Sequence, residues 1–185
     1  MPARHSRPPL PRRWLLTDER QGPALWRALR RLPRGSGVIV RHYALAPAAR
    51  GALVRQIRHA TGPGRCPVLL AGPESLAQRL GADGSYGSGH GPFRRLRIAS
   101  AHNRRELVAA RRARASAVLL SPVFPTRSHP GAAALGPVRF GLLAQGAGLP
   151  VFALGGMTAA RARRLPAHAA GWAAIDGWMA KPAAQ

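Results

Sequence analysis

Eight short apolar runs, separated by stretches of helical spacing, limit what this chain can fold into more than any other feature. The runs are "WLLTD", "GVIVRHY", "CPVLLAG", "ADGSYG", "LRIASAH", "SAVLLSPVF", "LPVFALGG" and "GWAAIDGW". Strand followed by helix, repeated along the chain, predicts a parallel sheet with helices on its faces. Eight such units predict a closed (β/α)8, or TIM, barrel. The chain has 185 residues, short for a fold that usually needs about 250. The shortfall is expected in reduced fourth and eighth helices. "GSGHGPFRR" after the fourth run is too glycine-rich for a long helix, and little chain remains beyond Met179. The alternative is an open, doubly wound sheet. Its dinucleotide-binding version expects G-x-G-x-x-G after the first strand, and that pattern is missing there. Residues 1–13 read as a basic flexible tail and residues 14–185 as one barrel domain.

Local signals support the helical segments. In "PAARGALVRQIRHA", Leu53, Val54 and Ile57 share one face and arginines are expected on the other. Asn103 and Glu106 have capping-box spacing. Pro73 suits a first helical turn and Gly81 a helix end. Thr158 is placed to cap the helix of "GGMTAARARRL".

Charge bears on partners. Lys and Arg number 29 against 6 Asp and Glu, a formal charge of +23. Such a chain attracts polyanions. However, the arginines spread over nearly every helix, few aromatics lie between them to stack bases, and no zinc-finger or RNA-recognition spacing occurs. Nucleic-acid binding is therefore expected to be nonspecific. No apolar run approaches the roughly 18–20 residues of a membrane span, and "MPARHSRPPLPRRW" lacks the apolar core of a secretory signal. The single cysteine, Cys66, makes no internal disulfide and reads as a small buried residue. A cytoplasmic location is the expectation.

In a parallel α/β fold, chemistry sits where strands end. Those positions hold Asp18, Arg41, Ala71, Tyr86, Ser100 with His102, the stretch "SPVFPTRSHPG", Gly155 with Gly156, and Asp176. The density of Thr126, Arg127, Ser128 and His129 exceeds what a turn requires and suits an anion. Gly155 and Gly156 let backbone N–H groups approach a phosphate, and Thr158 opens a helix pointing the same way. Asp176 beside them opposes an anion unless an arginine pairs with it. His102 at a strand end reads either as a structural residue or as an acid/base with pKa near neutrality.

These motifs, in this order and spacing, resemble the thiamine phosphate synthase/TenI family of small TIM barrels. "LLTDE" is similar to its first strand, "RLGADGSYG" to its Leu-Gly-Ala-Asp-Gly-Val-His turn, and "IASAH" to its Gly-x-Ser-x-His strand end. "SPVFPTRSH" is similar to Gly-Pro-Ile-Phe-Pro-Thr-x-Thr-Lys, and "LPVFALGGM" to Pro-Val-x-Ala-Ile-Gly-Gly-Ile. The resemblance implies thiamine biosynthesis. Synthases of the family join a hydroxymethylpyrimidine diphosphate to a thiazole phosphate, using Mg²⁺ and basic side chains to hold the diphosphate. TenI-type members instead isomerise a thiazole carboxylate phosphate, with a histidine at the fifth strand end as acid/base.

By that resemblance Arg41, Ser100, Thr126, Arg127, Ser128, His129, Gly155 and Gly156 bind substrate or phosphate, and His102 with Tyr86 moves protons. His129 stands where the family has a lysine. Ile39 and Tyr43 replace a glutamine and a lysine. Ala71, Gly72 and Gly91 stand at or near the positions of the two Mg²⁺-binding aspartates, so no metal site is expected. Three readings follow. One is a divergent, metal-free tautomerase-like enzyme binding a thiazole phosphate. Another is a working synthase with a rebuilt diphosphate site, the only reading that calls for Mg²⁺. The third is a non-catalytic barrel that binds a small phosphorylated heterocycle or a polyanion. Homo-oligomers are compatible with all three.

Overall fold

In a computed structural model, residues 9–62, 64, 66–87, 95–126, 131 and 133–179 are described. Eight strands form a closed barrel in chain order. They are β1 (Arg13–Leu16), β2 (Gly37–Val40), β3 (Val68–Ala71), β4 (Gly84–Tyr86), β5 (Leu96–Ala101), β6 (Ala117–Leu120), β7 (Val151–Ala153) and β8 (Gly171–Ala174). All neighbouring pairs are parallel. Closure is made by β1 on β8, with Arg13 opposite Trp172 and Leu15 opposite Ala174, so the open-sheet alternative does not hold. The barrel opens at Arg13, and the Arg12 carbonyl already accepts from Trp172 N at 2.9 Å. The last residues expected in the tail are thus part of the barrel's edge.

Among the described residues six α-helices cover the outside: α1 (Pro23–Arg31), α2 (Pro47–Thr61), α3 (Glu74–Arg79), α4 (Arg104–Arg112), α5 (Gly136–Gln145) and α6 (Ala159–Ala162). Pro23 and Pro47 open α1 and α2, where a missing N–H costs nothing. Asn103 caps α4 by accepting from Glu106 N, and Thr158 caps α6 by accepting from Arg161 N. α6 is shorter than its arginine-alanine run suggests. Pro166 disfavours helical backbone at Leu165, so the segment leaves the helix early. After β8 the described chain makes only a 3-10 turn, Asp176–Trp178, as the small eighth helix requires. Most of the 87–95 connection between β4 and β5 lies outside the described residues.

Period-two alternation divides the strand side chains. Trp14, Leu16, Ile39, Leu69, Tyr86, Ile98, Leu119 and Phe152 fill the lumen, while Leu15, Val38, Val40 and Leu70 meet α1 and α2 outside. Trp14 is fully buried and stands edge-on to Phe152, with ring centroids 6.4 Å apart. Its ring occupies the space where a β-carbon on Gly37 would project. Gly37→Ala is therefore expected to overpack the lumen and lower stability by about 1–3 kcal/mol. Urea unfolding measures this, and an unchanged midpoint would show that Trp14 has room to move.

Candidate active site at the carboxyl rim

The strand ends gather those predicted residues that are described on one rim, in two groups. The first lies beyond β1 to β4. Asp18 caps the 3-10 turn Glu19–Gln21. Its carboxylate takes a fork from Arg20, Nε to Oδ1 at 2.6 Å and Nη2 to Oδ2 at 3.1 Å. Arg41 Nη1 stands 3.9 Å from Oδ2. The Arg20 bond holds the Asp18 carboxyl below the usual carboxylate range. Gln21 Nε2 donates to the carbonyls of Leu16 and Ile175, tying the ends of β1 and β8 together. Tyr86 ends β4 inside the barrel, and burial pushes its phenol up to about 12. At neutral pH Tyr86 is thus a hydrogen-bond donor that keeps its proton.

Next to Arg41 stands a histidine the sequence reading passed over. The Arg41 N–H donates to Thr17 Oγ1 at 3.1 Å, and Thr17 Oγ1 lies 2.9 Å from His42 Nδ1. The Thr17 hydroxyl, which accepts from the backbone with one lone pair, can either give its proton to Nδ1 or accept from it with the other. Burial lowers the His42 pKa below the free value of 6.5; Glu19 and Asp18 oppose the shift, while Arg50 and Arg41 add to it. The sign follows directly. As pH falls through about 6.5 the unfolded chain binds a proton that the folded chain refuses, so stability is lost. The thermal midpoint should fall on acidification below that pH. His42→Asn keeps an acceptor for Thr17 and should lose less; equal losses in both proteins would remove His42 as the cause.

The second group lies beyond β5 to β8. Ser100 is half-buried on β5, and His102 follows the strand at the exposed rim. His102 Nδ1 is 2.9 Å from the Ser121 carbonyl and 3.3 Å from Ser121 Oγ. A carbonyl only accepts, so Nδ1 carries a proton, and in the neutral ring the lone pair is on Nε2. Ser121 leads into Pro122, which packs against Gly155 so closely that a β-carbon on Gly155 would strike it. A β-carbon on Gly156 would strike Phe124 and the Pro125 carbonyl. The two glycines also hold φ of 91° and 60°, backbone that favours glycine. Beside them opens a recess of about 250 Å³ lined by Thr126, Gly155, Gly156, Thr158, Arg161 and Asp176, among others. Arg161 donates Nη1 to the Gly156 carbonyl and lies over the Phe124 ring, 5.0 Å from its centroid. The recess therefore brings an arginine to the same wall as Asp176.

Arg41 and Tyr86 thus belong to the first group, and Thr126, Gly155 and Gly156 to the second, with Ser100 and His102 between them on β5. The segment 121–126 joins His102 to the recess. Arg127, Ser128, His129 and Gly91 lie outside the described residues. Asp18 meets Arg41, and Asp176 shares the recess with Thr126, so the two carboxylates stand in different groups. A larger cavity, about 1450 Å³, opens at the opposite end among Arg12, Arg34, Cys66, Pro67 and Leu96. It contains none of the rim residues, and burial pushes the Cys66 thiol up to about 11, which leaves it unreactive.

The Mg²⁺ expected of synthases does not fit this donor set. Among the described residues no group of three or more His, Cys, Asp or Glu is placed to hold a metal ion. Ala71 and Gly72 carry no carboxylate, Asp18 is taken by arginines, and the Ala71 carbonyl already accepts from the Arg50 guanidinium. Mg²⁺ favours carboxylate and water oxygens and dehydrates reluctantly.

A sequence profile described as "Thiamine monophosphate synthase" matches residues 17–177. No curated protein matches the chain significantly. Among solved structures, the chain is similar to a thiamine phosphate pyrophosphorylase from Pyrococcus furiosus, at 20% identity and a TM-score of 0.77, covering 91% of this chain and 87% of that one. It is also similar to FabK from Thermotoga maritima, at 17% identity and a TM-score of 0.68, covering 92% of this chain and 59% of that one. At such identities these likenesses establish the barrel fold.

Proposed function

Because the chain belongs to the thiamine monophosphate synthase/TenI family, we propose that it binds a thiazole phosphate and isomerises it as a metal-free, TenI-type tautomerase-like enzyme. One observation carries the reading. The segment 121–126 holds the His102 imidazole on one side and walls the glycine recess on the other. A phosphate in the recess receives backbone N–H groups at Gly155–Gly156 and the Thr158 end of α6, with Arg161 supplying charge. The ring attached to that phosphate then reaches toward β5. His102 Nε2 takes a proton from one ring atom and returns it to another, while the Ser121 carbonyl steadies the imidazolium through Nδ1–H. Atoms and charge balance without a co-reactant. Ser100 and the un-ionised Tyr86 phenol face the same mouth as hydrogen-bond donors.

The synthase alternative draws on a different observation, the retained Arg41 at the end of β2. Growth separates the readings. A bacterial strain lacking thiazole tautomerase should recover its normal thiamine yield with this chain, whereas a strain lacking thiamine phosphate synthase should still need added thiamine. The reverse pattern would establish the synthase, and rescue of neither would favour a barrel that binds without catalysis.

A further inference from the structure

The amino-terminal end of the barrel carries a cavity of about 1450 Å³ that no part of the proposed reaction uses. Its walls combine two kinds of surface. Pro9, Leu10, Pro11, Pro67 and Leu96 supply apolar area, and Leu10 and Leu96 pack on the core that fills the lumen. Arg12, Arg13, Arg34 and Arg58 supply charge beside it. No Phe, Tyr or Trp ring stands among the described lining residues, so the cavity offers a nucleic-acid base no such ring to stack on.

Charge at this end is one-sided. Of the chain's 6 side-chain carboxylates, Asp18, Glu19, Glu74, Glu106 and Asp176 follow the carboxyl ends of strands, at the opposite rim. Asp83 alone precedes a strand, and it is engaged. Its Oδ1 accepts from the Arg58 guanidinium and its Oδ2 from the Val68 N–H at 2.8 Å. Arg58 lies in the last turn of α2, where the helix dipole favours a cation. Arg12, Arg13 and Arg34 have no such reason to gather. All three are exposed, and among the described residues none has a carboxylate within ion-pair distance. The residues before Pro9 bring Arg4, His5 and Arg7 and no side-chain carboxylate, so they supply no countercharge either.

We propose that this cavity binds a small amphiphilic organic anion, its apolar body against Leu10, Pro67 and Leu96 and its acidic head on Arg12, Arg13 and Arg34. A concave, largely apolar recess with a few charged groups suits an individual molecule. A sulfate, phosphate or carboxylate head serves, because the guanidinium fork pairs with each. The Cys66 thiol in the wall stays protonated at neutral pH, so the binding is noncovalent. The site lies at the other end of the barrel from His102 and Gly155–Gly156. It stands whether or not they act on a thiazole phosphate.

Calorimetric titration with butyl, hexyl and octyl sulfate, each below its micelle-forming concentration, tests the site. Each methylene buried against the wall should tighten binding up to roughly fourfold. Octyl sulfate should therefore bind at least about tenfold more tightly than butyl sulfate. The double variant Arg12→Gln, Arg34→Gln should weaken octyl sulfate binding roughly tenfold or more, through lost charge-assisted bonds. Arg104→Gln with Arg105→Gln removes the same charge from the exposed start of α4 and should change it less than about twofold. Leu10→Gln should flatten the dependence on chain length. Gly156→Asp should leave binding intact, which separates this cavity from the proposed catalytic recess. Affinity independent of chain length, equal effects of the two arginine pairs, an unaltered chain-length dependence in Leu10→Gln, or loss of binding in Gly156→Asp would each overturn the proposal. Should Leu10→Gln fail to fold, the arginine pairs decide alone.

Discussion

Replacing His102 with Asn is expected to slow isomerisation of a thiazole carboxylate phosphate roughly 10²–10⁴-fold while leaving its dissociation constant nearly unchanged. Asn keeps a donor for the Ser121 carbonyl, which His102 Nδ1 approaches at 2.9 Å, so the rim should hold its shape. What it lacks is a ring nitrogen that can take up a proton and give it back. Tyr86 is no substitute, because its pKa of about 12 keeps its proton in place. His42 sits in the other group of rim residues and is engaged with Thr17. His102→Ala should cost a similar factor in rate. Single-turnover kinetics with calorimetric binding separates the two quantities. Wild-type rates in His102→Asn would make His102 a structural residue of the rim.

Gly156→Asp should abolish binding of a thiazole phosphate. Gly156 has φ of 60°, and any β-carbon there meets Phe124 and the Pro125 carbonyl. The substitution thus strains the backbone, fills the recess and adds a second carboxylate beside Asp176. Repulsion and steric loss act together, so affinity should fall below detection rather than by a small factor. Gly156→Ala supplies a graded comparison, retaining the strain without the charge, and should weaken binding less. Full affinity in Gly156→Asp would place the phosphate elsewhere.

The barrel was legible because its determinants are local and periodic. Each apolar run lies between turn residues, and Asn103 and Thr158 stand where caps were predicted. The rim was legible in outline for the same reason, since carboxyl ends of parallel strands must share one face. What escaped was the identity of particular side chains on that face. Arg50 was grouped with the solvent-facing arginines of α2, yet it precedes Leu53, Val54 and Ile57 by three, four and seven residues and is buried with them. That spacing was readable; the abundance of arginine concealed it. His42 follows Arg41 directly, but nothing local reveals that Thr17, 25 residues earlier, faces its ring. Such a contact exists only once β1 and β2 pair. The hold of Ser121 on His102 likewise depends on β5 and β6 lying side by side.

The most direct test of the proposed chemistry supplies the protein with each family reaction in turn. In EDTA, with a thiazole carboxylate phosphate alone, proton transfer should convert the substrate to its aromatic isomer, followed by its ultraviolet spectrum. With hydroxymethylpyrimidine diphosphate, thiazole phosphate and Mg²⁺, no thiamine phosphate should form. Robust Mg²⁺-dependent thiamine phosphate synthesis, with no isomerisation in EDTA, would contradict the account and establish a synthase whose diphosphate site differs from the one the family resemblance implies.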